Sequence, residues 1–266
     1  MHPRETYLPL FSQFVRRDPL AFAYYLAGEP ALIHRAIRQV LGRDGSWALH
    51  ELASEGATRE VSVQAAQLPY LGWVHSGEIL YALVRVLKPS VVVETGVAAG
   101  VSSSFILAAL ARNGRGELHS IDFPDYEEAY FPTLGKNPIA VLPPGKSTGF
   151  LIPKTLRTRW HLHVGNTRDL LQSVLDSLSS IDIFLHDSEH THEMMMFEFE
   201  TAWSRLKPGG VLLSDDVDWN DAFPDFCRRQ YVKPVYFWTT GLAGAMKRPR
   251  RLKAWGFPRR ESDSWS

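Results

Sequence analysis

The sequence predicts an α/β protein with a doubly wound, mostly parallel, Rossmann-like sheet and an N-terminal helical cap. From Gly77 onward, short segments that are apolar throughout alternate with segments of helical spacing. Strands that are apolar on both faces are typical of a parallel sheet covered by helices. The first such strand also runs into a glycine-containing loop and then a helix, as doubly wound proteins do.

Residues 1–75 are expected to be a helical cap on the larger core. Apolar residues recur there at helical spacing, and Gly42 and Gly45 are expected to end the second of its helices. The residues that carry the pattern are Leu10, Phe11, Phe14, Val15, Leu32, Ile33, Ile37, Val40 and Leu41.

Residues 76–246 are expected to form the main domain. Its first helix is predicted over 78–87, where Lys88 and Pro89 end it. Later helices are predicted over 101–112 and from near Thr167 and Thr191. The predicted strands cover 91–93, 118–121, 181–185 and 211–213.

Two segments fall outside this alternation. Residues 123–159 are rich in proline and aromatic residues, and an insert of that length is typical of a lid over a binding site. Residues 247–266 form a basic C-terminal tail, for which a solvated surface segment is a simpler interpretation than a partner-binding one.

Composition narrows the class of protein. Hydrophobic residues make up 45% and charged residues 22%, which is typical of a globular protein. The net charge of zero argues against a nucleic-acid partner, and no apolar run is long enough to predict a membrane span. A single cysteine, Cys227, and no recognisable signal peptide favour a cytoplasmic location. A small-molecule partner is expected, and a homo-oligomer remains open.

The loop after the first strand is a candidate ligand site. It reads Glu94-Thr-Gly96-Val-Ala-Ala-Gly100, and glycines at such a turn let the backbone approach a ligand. The GxxxG spacing differs from the GxGxxG of nicotinamide-binding proteins, so a nicotinamide-dependent oxidoreductase is the weaker interpretation. Asp122 ends the second strand, where a carboxylate can accept hydrogen bonds from ribose hydroxyls. The alternative for Asp122 is a cap on the following turn.

Three carboxylates follow the next two strands. Asp187 ends one strand, and Asp215 and Asp216 end its predicted neighbour. Such carboxylates repel one another unless a cation or a proton intervenes, and an all-oxygen set suits Mg²⁺ or Mn²⁺. The alternative is that one or more of them caps a helix. A zinc site built from His186, His190 and His192 is less favoured because their side chains are expected to diverge.

These motifs together resemble the class I S-adenosylmethionine (SAM) methyltransferases, over about residues 70–245. The resemblance rests on the Glu94–Gly100 loop, on Asp122 and Asp187, and on the KPGG sequence at 207–210. Within that superfamily, the segments 186–190 and 214–216 are similar to metal-dependent O-methyltransferases. Those include the catechol type and bacterial enzymes that methylate sugar hydroxyls of natural products.

The resemblance assigns roles to individual residues. Glu94, Gly96 and Gly100 would lie at the methionine part of SAM and Asp122 at its ribose, while Asn166, Thr167 and Arg168 would border the adenine. Asp187, Asp215 and Asp216 would hold the metal. His190 stands three residues after Asp187, where catechol-type enzymes carry a lysine base, and this departure makes a catechol substrate less secure.

The expected chemistry is methyl transfer to a hydroxyl of a sugar or phenolic small molecule. A divalent ion lowers the pKa of a bound hydroxyl, and His190, titrating near neutrality, would take the proton. Asp187 and His190 are therefore the predicted catalytic residues. A methyltransferase of another acceptor atom and a non-catalytic SAM-binding protein remain alternatives.

Overall fold

A computed structural model describes residues 29–41, 45–68, 76–123, 142–143, 145–237 and 241–248. The predicted helix around Leu10 to Val15, most of the C-terminal tail, and residues 124–141 and 144 of the 123–159 insert lie outside the described residues. In the described part, no helix combines the length and apolar character needed to cross a membrane.

Three described helices precede the main domain, in which helices and strands alternate along the chain. The helices are α1 (Glu29–Leu41), α2 (Ser46–Leu52), α3 (Gly56–Ala65), α4 (Gly77–Leu87), α5 (Val101–Asn113), α6 (Thr167–Ser177), α7 (His192–Arg205) and α8 (Ala222–Arg229). The strands are β1 (Val91–Thr95), β2 (Glu117–Asp122), β3 (Trp160–Val164), β4 (Ile181–His186), β5 (Leu206–Ser214), β6 (Val235–Phe237) and β7 (Leu242–Met246). A 3₁₀ segment, Lys154–Arg159, leads into β3.

The strands form one seven-stranded sheet in the order β3-β2-β1-β4-β5-β7-β6. Strands β1 to β5 are parallel, and β7 pairs antiparallel with both β5 and β6. The predicted doubly wound, mostly parallel sheet is therefore confirmed. The order reverses beside β1, and ligands of such sheets bind at the carboxyl edge of the strands at that point.

Helices cover both faces of the sheet, and each face has its own apolar cluster. The side chains of α1, α2, α4 and α5 share one cluster, and those of α6, α7 and α8 share the other. In the first cluster, Ile37 of α1 and Leu83 of α4 are fully buried. The described helices of the N-terminal segment thus pack into the main core. The predicted boundary between residues 75 and 76 stays a prediction.

A polar network fastens α2 to α4 at the rim of this cluster. The Glu51 carboxylate accepts hydrogen bonds from the Tyr81 hydroxyl at 2.6 Å and from the Arg85 guanidinium at 2.6 and 2.8 Å. The Arg85 bonds outweigh partial burial and lower the pKa of Glu51 to about 2. The bonds to ionised Glu51 therefore help to hold the N-terminal helices on the domain.

The KPGG sequence does not form a turn before its strand. Residues 207–210 lie inside β5, where the pairing with β4 shifts register between Ile181 and Ile183. Gly209 has a φ of +86°, which a glycine adopts without strain. The KPGG sequence is thus the irregular beginning of a longer strand.

Candidate functional site

The residues that follow the central strands line up along one edge of the sheet. The backbone N–H of Gly96 donates to the carbonyl of Ile121, and that of Asp187 donates to Thr95. In the same way, Asp215 donates to His186 and Gly165 to Asp122, all four at 2.9 Å. These bonds continue the sheet one residue beyond each strand, so the predicted site residues of four different loops form one row.

The glycines at 96 and 100 have steric reasons for being glycine. Both have positive φ angles, +81° and +90°. A Cβ on Gly96 would stand 1.8 Å from the Asp187 carbonyl oxygen, and one on Gly100 would stand 2.6 Å from Ile152 Cγ1. The sequence predicted these glycines for ligand approach, and the structure shows that close packing within the protein also requires them.

Glu94 supports the glycine loop from inside the core. Its side chain is fully buried, and the hydroxyls of Ser102, Ser103 and Ser120 donate to it. Burial raises the pKa of Glu94 to about 7, although the serine hydrogen bonds oppose the shift. The expectation that Glu94 contacts a cofactor is corrected, because its carboxylate has no exposed surface. The carboxylate instead connects β1 to α5 and β2 through the serine hydrogen bonds.

Asp122 is bonded to the two segments that surround it. Its carboxylate accepts from the Val97 N–H at 3.2 Å and from the Thr148 hydroxyl at 2.8 Å. Burial raises its pKa, and these hydrogen bonds act in the opposite direction. The Thr148 turn is itself fixed, since the N–H groups of Gly149 and Leu151 donate to the carbonyls of Ala98 and Ala99. The described end of the 123–159 insert is therefore packed on the glycine loop.

The loop predicted to border the adenine begins α6. Asn166 caps this helix, with its side-chain oxygen accepting from the Arg168 N–H at 2.8 Å. Thr167 is buried. The Arg168 guanidinium donates to Glu193 at 3.1 Å and lies over the Phe197 ring. The loop lies beside Asp122, whose carbonyl accepts from the Gly165 N–H, and the side chains of Asn166 and Arg168 have partners within the protein.

The structure collects the three aspartates at the carboxyl edge of β4 and β5. Burial and repulsion from Asp215 and Asp216 raise the pKa of Asp187 well above its ordinary value. Burial, with repulsion from neighbouring carboxylates, raises the pKa of Asp215 to about 8 and that of Asp216 to about 6. Asp215 Oδ1 is buried without a hydrogen-bond partner. This set of carboxylate oxygens, with Asp215 buried and Asp187 and Asp216 partly buried, fits a hard divalent cation.

The aspartates do not converge as tightly as a compact metal centre. Among the described residues, one group of three or more His, Cys, Asp or Glu side chains has donor atoms within 4.8 Å of one another. That group is Glu117, His119 and His161, and it lies elsewhere on the sheet. The three aspartates are thus neighbours, but their donor atoms do not all lie within 4.8 Å of one another.

His190 stands beside these carboxylates. Its Nε2 lies 3.9 Å from Asp216 Oδ2 and is buried without a hydrogen-bond partner. Burial, with a smaller contribution from His186, lowers the pKa of His190 to about 3. The expectation that it titrates near neutrality is therefore corrected, since the desolvated ring is held neutral. A neutral ring has a lone pair that can accept a proton.

His186 and His192 do not join His190 in a zinc site. His186 is fully buried, and its Nδ1 lies 2.7 Å from Glu198. His192 Nε2 lies 3.3 Å from Asp225, on the exposed side of α7. His186 and His192 are thus each placed next to a separate carboxylate.

Sequence reasoning missed Glu198, which contacts three segments beneath the site through hydrogen bonds. This fully buried carboxylate also accepts from the hydroxyls of Thr95 and Ser188, both at 2.6 Å. It therefore joins β1, β4 and the loop after β4. An acidic residue within the apolar face that includes Met195 and Phe199 was the available signal, because a buried carboxylate needs partners.

Sequence reasoning also missed Trp219. Its indole lies 5.2 Å from the His190 ring between centroids, and 52% of its surface is exposed. It is one of few large exposed aromatics in the described part of the chain, and it lies beside the candidate base. The signal was its position three residues after Asp216.

Comparisons with known proteins agree with this architecture. Residues 93–217 match the family model of a methyltransferase domain. No curated protein sequence matches the chain.

Solved structures of low sequence identity share the fold. One is the O-methyltransferase TomG of Streptomyces achromogenes, solved with SAM. It is 18% identical, and the match covers 73% of this chain and 90% of that one with a TM-score of 0.50. Another is a protein of Staphylococcus aureus described as a candidate caffeoyl-CoA O-methyltransferase. It is 15% identical, with 75% and 95% covered and a TM-score of 0.51.

The domain match spans the glycine loop, Asp122, Asp187 and the two aspartates after β5. The resemblance inferred from the sequence is thereby confirmed: residues 93–217 match a methyltransferase domain, and the sheet has the fold of these two structures.

Proposed function

We propose that this protein is a SAM-dependent O-methyltransferase that methylates a hydroxyl of a sugar or phenolic small molecule. The observation that carries the proposal is that His190 lies beside three aspartates, buried Asp215 and the partly buried Asp187 and Asp216, at the carboxyl edge of β4 and β5. The methyltransferase domain supports SAM as the donor, and the O-methyltransferase names of the two structures similar in fold agree with a hydroxyl acceptor.

The glycine loop and Asp122 are the residues proposed to bind SAM. The loop stands at the point where strand order reverses, and α5 begins directly after it with no side-chain cap on its first amides. Asp122 would accept from the ribose in place of its present partners. SAM supplies a methyl group on a cationic sulfur, which makes that carbon open to attack by an oxygen nucleophile.

Asp187, Asp215 and Asp216 are the residues proposed to hold Mg²⁺ or Mn²⁺. Burial first, and repulsion from neighbouring carboxylates second, raise their pKa values, and Asp215 Oδ1 is buried without a hydrogen-bond partner. A bound cation would lower the pKa of the acceptor hydroxyl and orient it.

His190 is proposed to take the hydroxyl proton at Nε2. This nitrogen is buried without a hydrogen-bond partner and lies 3.9 Å from Asp216 Oδ2, so its lone pair is available beside the proposed metal ligands. The exposed face of Trp219 offers an apolar surface against which a phenol or sugar ring can pack. Glu198 holds His186, whose ring contacts the His190 ring edge to face.

The experiment measures transfer of a labelled methyl group from SAM to a panel of phenols and sugar-containing acceptors. Activity is expected to need Mg²⁺ or Mn²⁺, to disappear in EDTA and to return with added Mg²⁺. His190→Ala should lower kcat by about 10²–10⁴-fold, which is the usual contribution of a positioned base. His192→Ala is the matched control from the same segment and should behave as the unaltered protein.

Three results would count against the proposal. Full turnover in the chelator would separate the aspartates from the chemistry, and full turnover of His190→Ala would remove the base assignment. SAM binding without transfer to any acceptor would favour the non-catalytic alternative.

A further inference from the structure

Three imidazoles and one carboxylate share one face of the outer strands, away from the site described above. His119 of β2 pairs in register with His161 of β3, and Ile121 pairs with His163. Side chains two residues apart on a strand point to the same face. Glu117 and His119 therefore share a face with His161 and His163.

The donor atoms of this cluster lie close together. His161 Nε2 is 3.2 Å and His119 Nε2 is 4.0 Å from Glu117 Oε2. Zinc binds nitrogen and oxygen ligands at about 2.0–2.2 Å, so neighbouring ligands of a tetrahedral site stand roughly 3.3 Å apart. One of these two separations already has that value, and the other exceeds it by less than about 1 Å.

His163 contacts the other ring nitrogen of His119. His119 Nδ1 lies 3.3 Å from His163 Nε2. When His119 Nδ1 carries the proton, it donates to His163, and the lone pair of His119 Nε2 faces Glu117. A metal-bound histidine commonly donates its other ring N–H in this way, which fixes the tautomer and orients the ring.

The distribution of charge also suits a metal. Adjacent rings stacked 4.6 Å apart, as His119 and His161 are, disfavour two positive charges. The glutamate supplies the single negative charge within the cluster. Neutral imidazole is the form that ligates a metal.

We propose that Glu117, His119 and His161 bind a divalent transition metal of the zinc class, with His163 orienting His119. Imidazole nitrogens combined with one carboxylate suit Zn²⁺, Co²⁺ or Ni²⁺, whereas Mg²⁺ prefers an all-oxygen set. His161 and Glu117 are 45% and 56% exposed, so the ion can enter from solvent and water can fill a remaining position.

This site is separate from the proposed reaction site. Glu117 begins β2 and Asp122 ends it, and five residue steps at about 3.3 Å place them about 16 Å apart. The bound metal would join β2 to β3, the outermost strand at that side of the sheet. Its expected role is to stabilise this edge of the domain.

The test titrates the full chain with ZnCl₂ by calorimetry and compares it with His161→Asn and Glu117→Gln. Both altered residues are exposed, so the variants are expected to fold. We expect each variant to lose one zinc equivalent or to bind it at least about tenfold more weakly. His192→Asn is the matched control, because His192 is 46% exposed and also lies beside a carboxylate. It should titrate as the unaltered protein does.

A second measurement identifies the geometry. Co²⁺ in a tetrahedral site absorbs strongly in the visible range, and that absorption is expected in the unaltered chain and in His192→Asn but not in His161→Asn. Zinc should also raise the Tm of the unaltered chain more than that of His161→Asn. Identical zinc titrations of the unaltered chain, His161→Asn and Glu117→Gln would overturn the proposal.

Discussion

Replacing Gly96 by alanine should destabilise the domain more than its backbone conformation alone explains. Gly96 has a φ of +81°, and a Cβ at this position would stand 1.8 Å from the carbonyl oxygen of Asp187 and 2.5 Å from its carbonyl carbon. Both atoms belong to the backbone, so no change of side-chain rotamer relieves the overlap. The glycine loop or the end of β4 must move.

The magnitude has two parts. A residue with a Cβ at positive φ costs about 1–2 kcal/mol. Forcing extra volume into a packed site typically costs about 1–3 kcal/mol more. The free energy of unfolding should therefore fall by roughly 2–5 kcal/mol, which is a large share of the roughly 5–15 kcal/mol that stabilises an ordinary domain.

The matched control is Gly209→Ala. Gly209 has a φ of +86°, but nothing lies within 4 Å of the position that a Cβ would take there, so the backbone cost of about 1–2 kcal/mol should stand alone. Urea unfolding followed by circular dichroism gives the free energy of each variant from the midpoint and slope. Equal losses for the two variants would refute the reasoning, because the contact with Asp187 would then have no energetic consequence.

Three further predictions each change a single carboxylate. The first concerns ligand binding, and the other two concern the pH dependence of stability. Asp122→Ala should weaken binding of S-adenosylhomocysteine in a calorimetric titration, and an unchanged Kd would remove Asp122 from the proposed site. Because the pKa of Glu94 is raised from 4.5 to about 7 in the folded state, its contribution is present below pH 4.5 and is lost as the pH rises to about 7. In the unaltered chain this loss should lower the free energy of unfolding by roughly 3 kcal/mol. Glu94→Gln should show no such loss, and a pH profile parallel to that of the unaltered chain would contradict the prediction. Glu51 behaves oppositely, since Arg85 lowers its pKa to about 2. Glu51→Gln should abolish the stability that the unaltered chain loses as the pH falls from about 4.5 to 2, while a profile unchanged at low pH would speak against the Glu51–Arg85 bond.

The central strands could be predicted because their signal is local. Strands β1 and β4 and the second half of β5 are largely buried on both faces, so they appear in the sequence as short apolar runs. Strand β3 was missed because it lies at the edge and carries His161 and His163 on its less covered face. Strands β6 and β7 are short, and β7 contains Ala243, Gly244 and Ala245 in place of β-branched residues.

The candidate site likewise has a part that the sequence predicts and a part that it does not. That Asp122, Asp187 and Asp215 follow strands, and therefore share an edge, is determined by the sequence. The partners of those side chains are not. Glu198 meets Thr95 from 103 residues away in the chain, and no local pattern reports such a contact.

The sequence by itself thus determined the class of fold, the methyltransferase resemblance and the row of residues at the carboxyl edge. Periodicity and strand ends are properties of neighbouring residues. The tertiary structure decided that Glu94 is a buried support, that His190 is neutral rather than titrating near pH 7, and that Glu117 meets His161 on an outer face. Each of these depends on burial and on contacts between distant segments, and desolvation and charge–charge interactions exist only once the chain has packed.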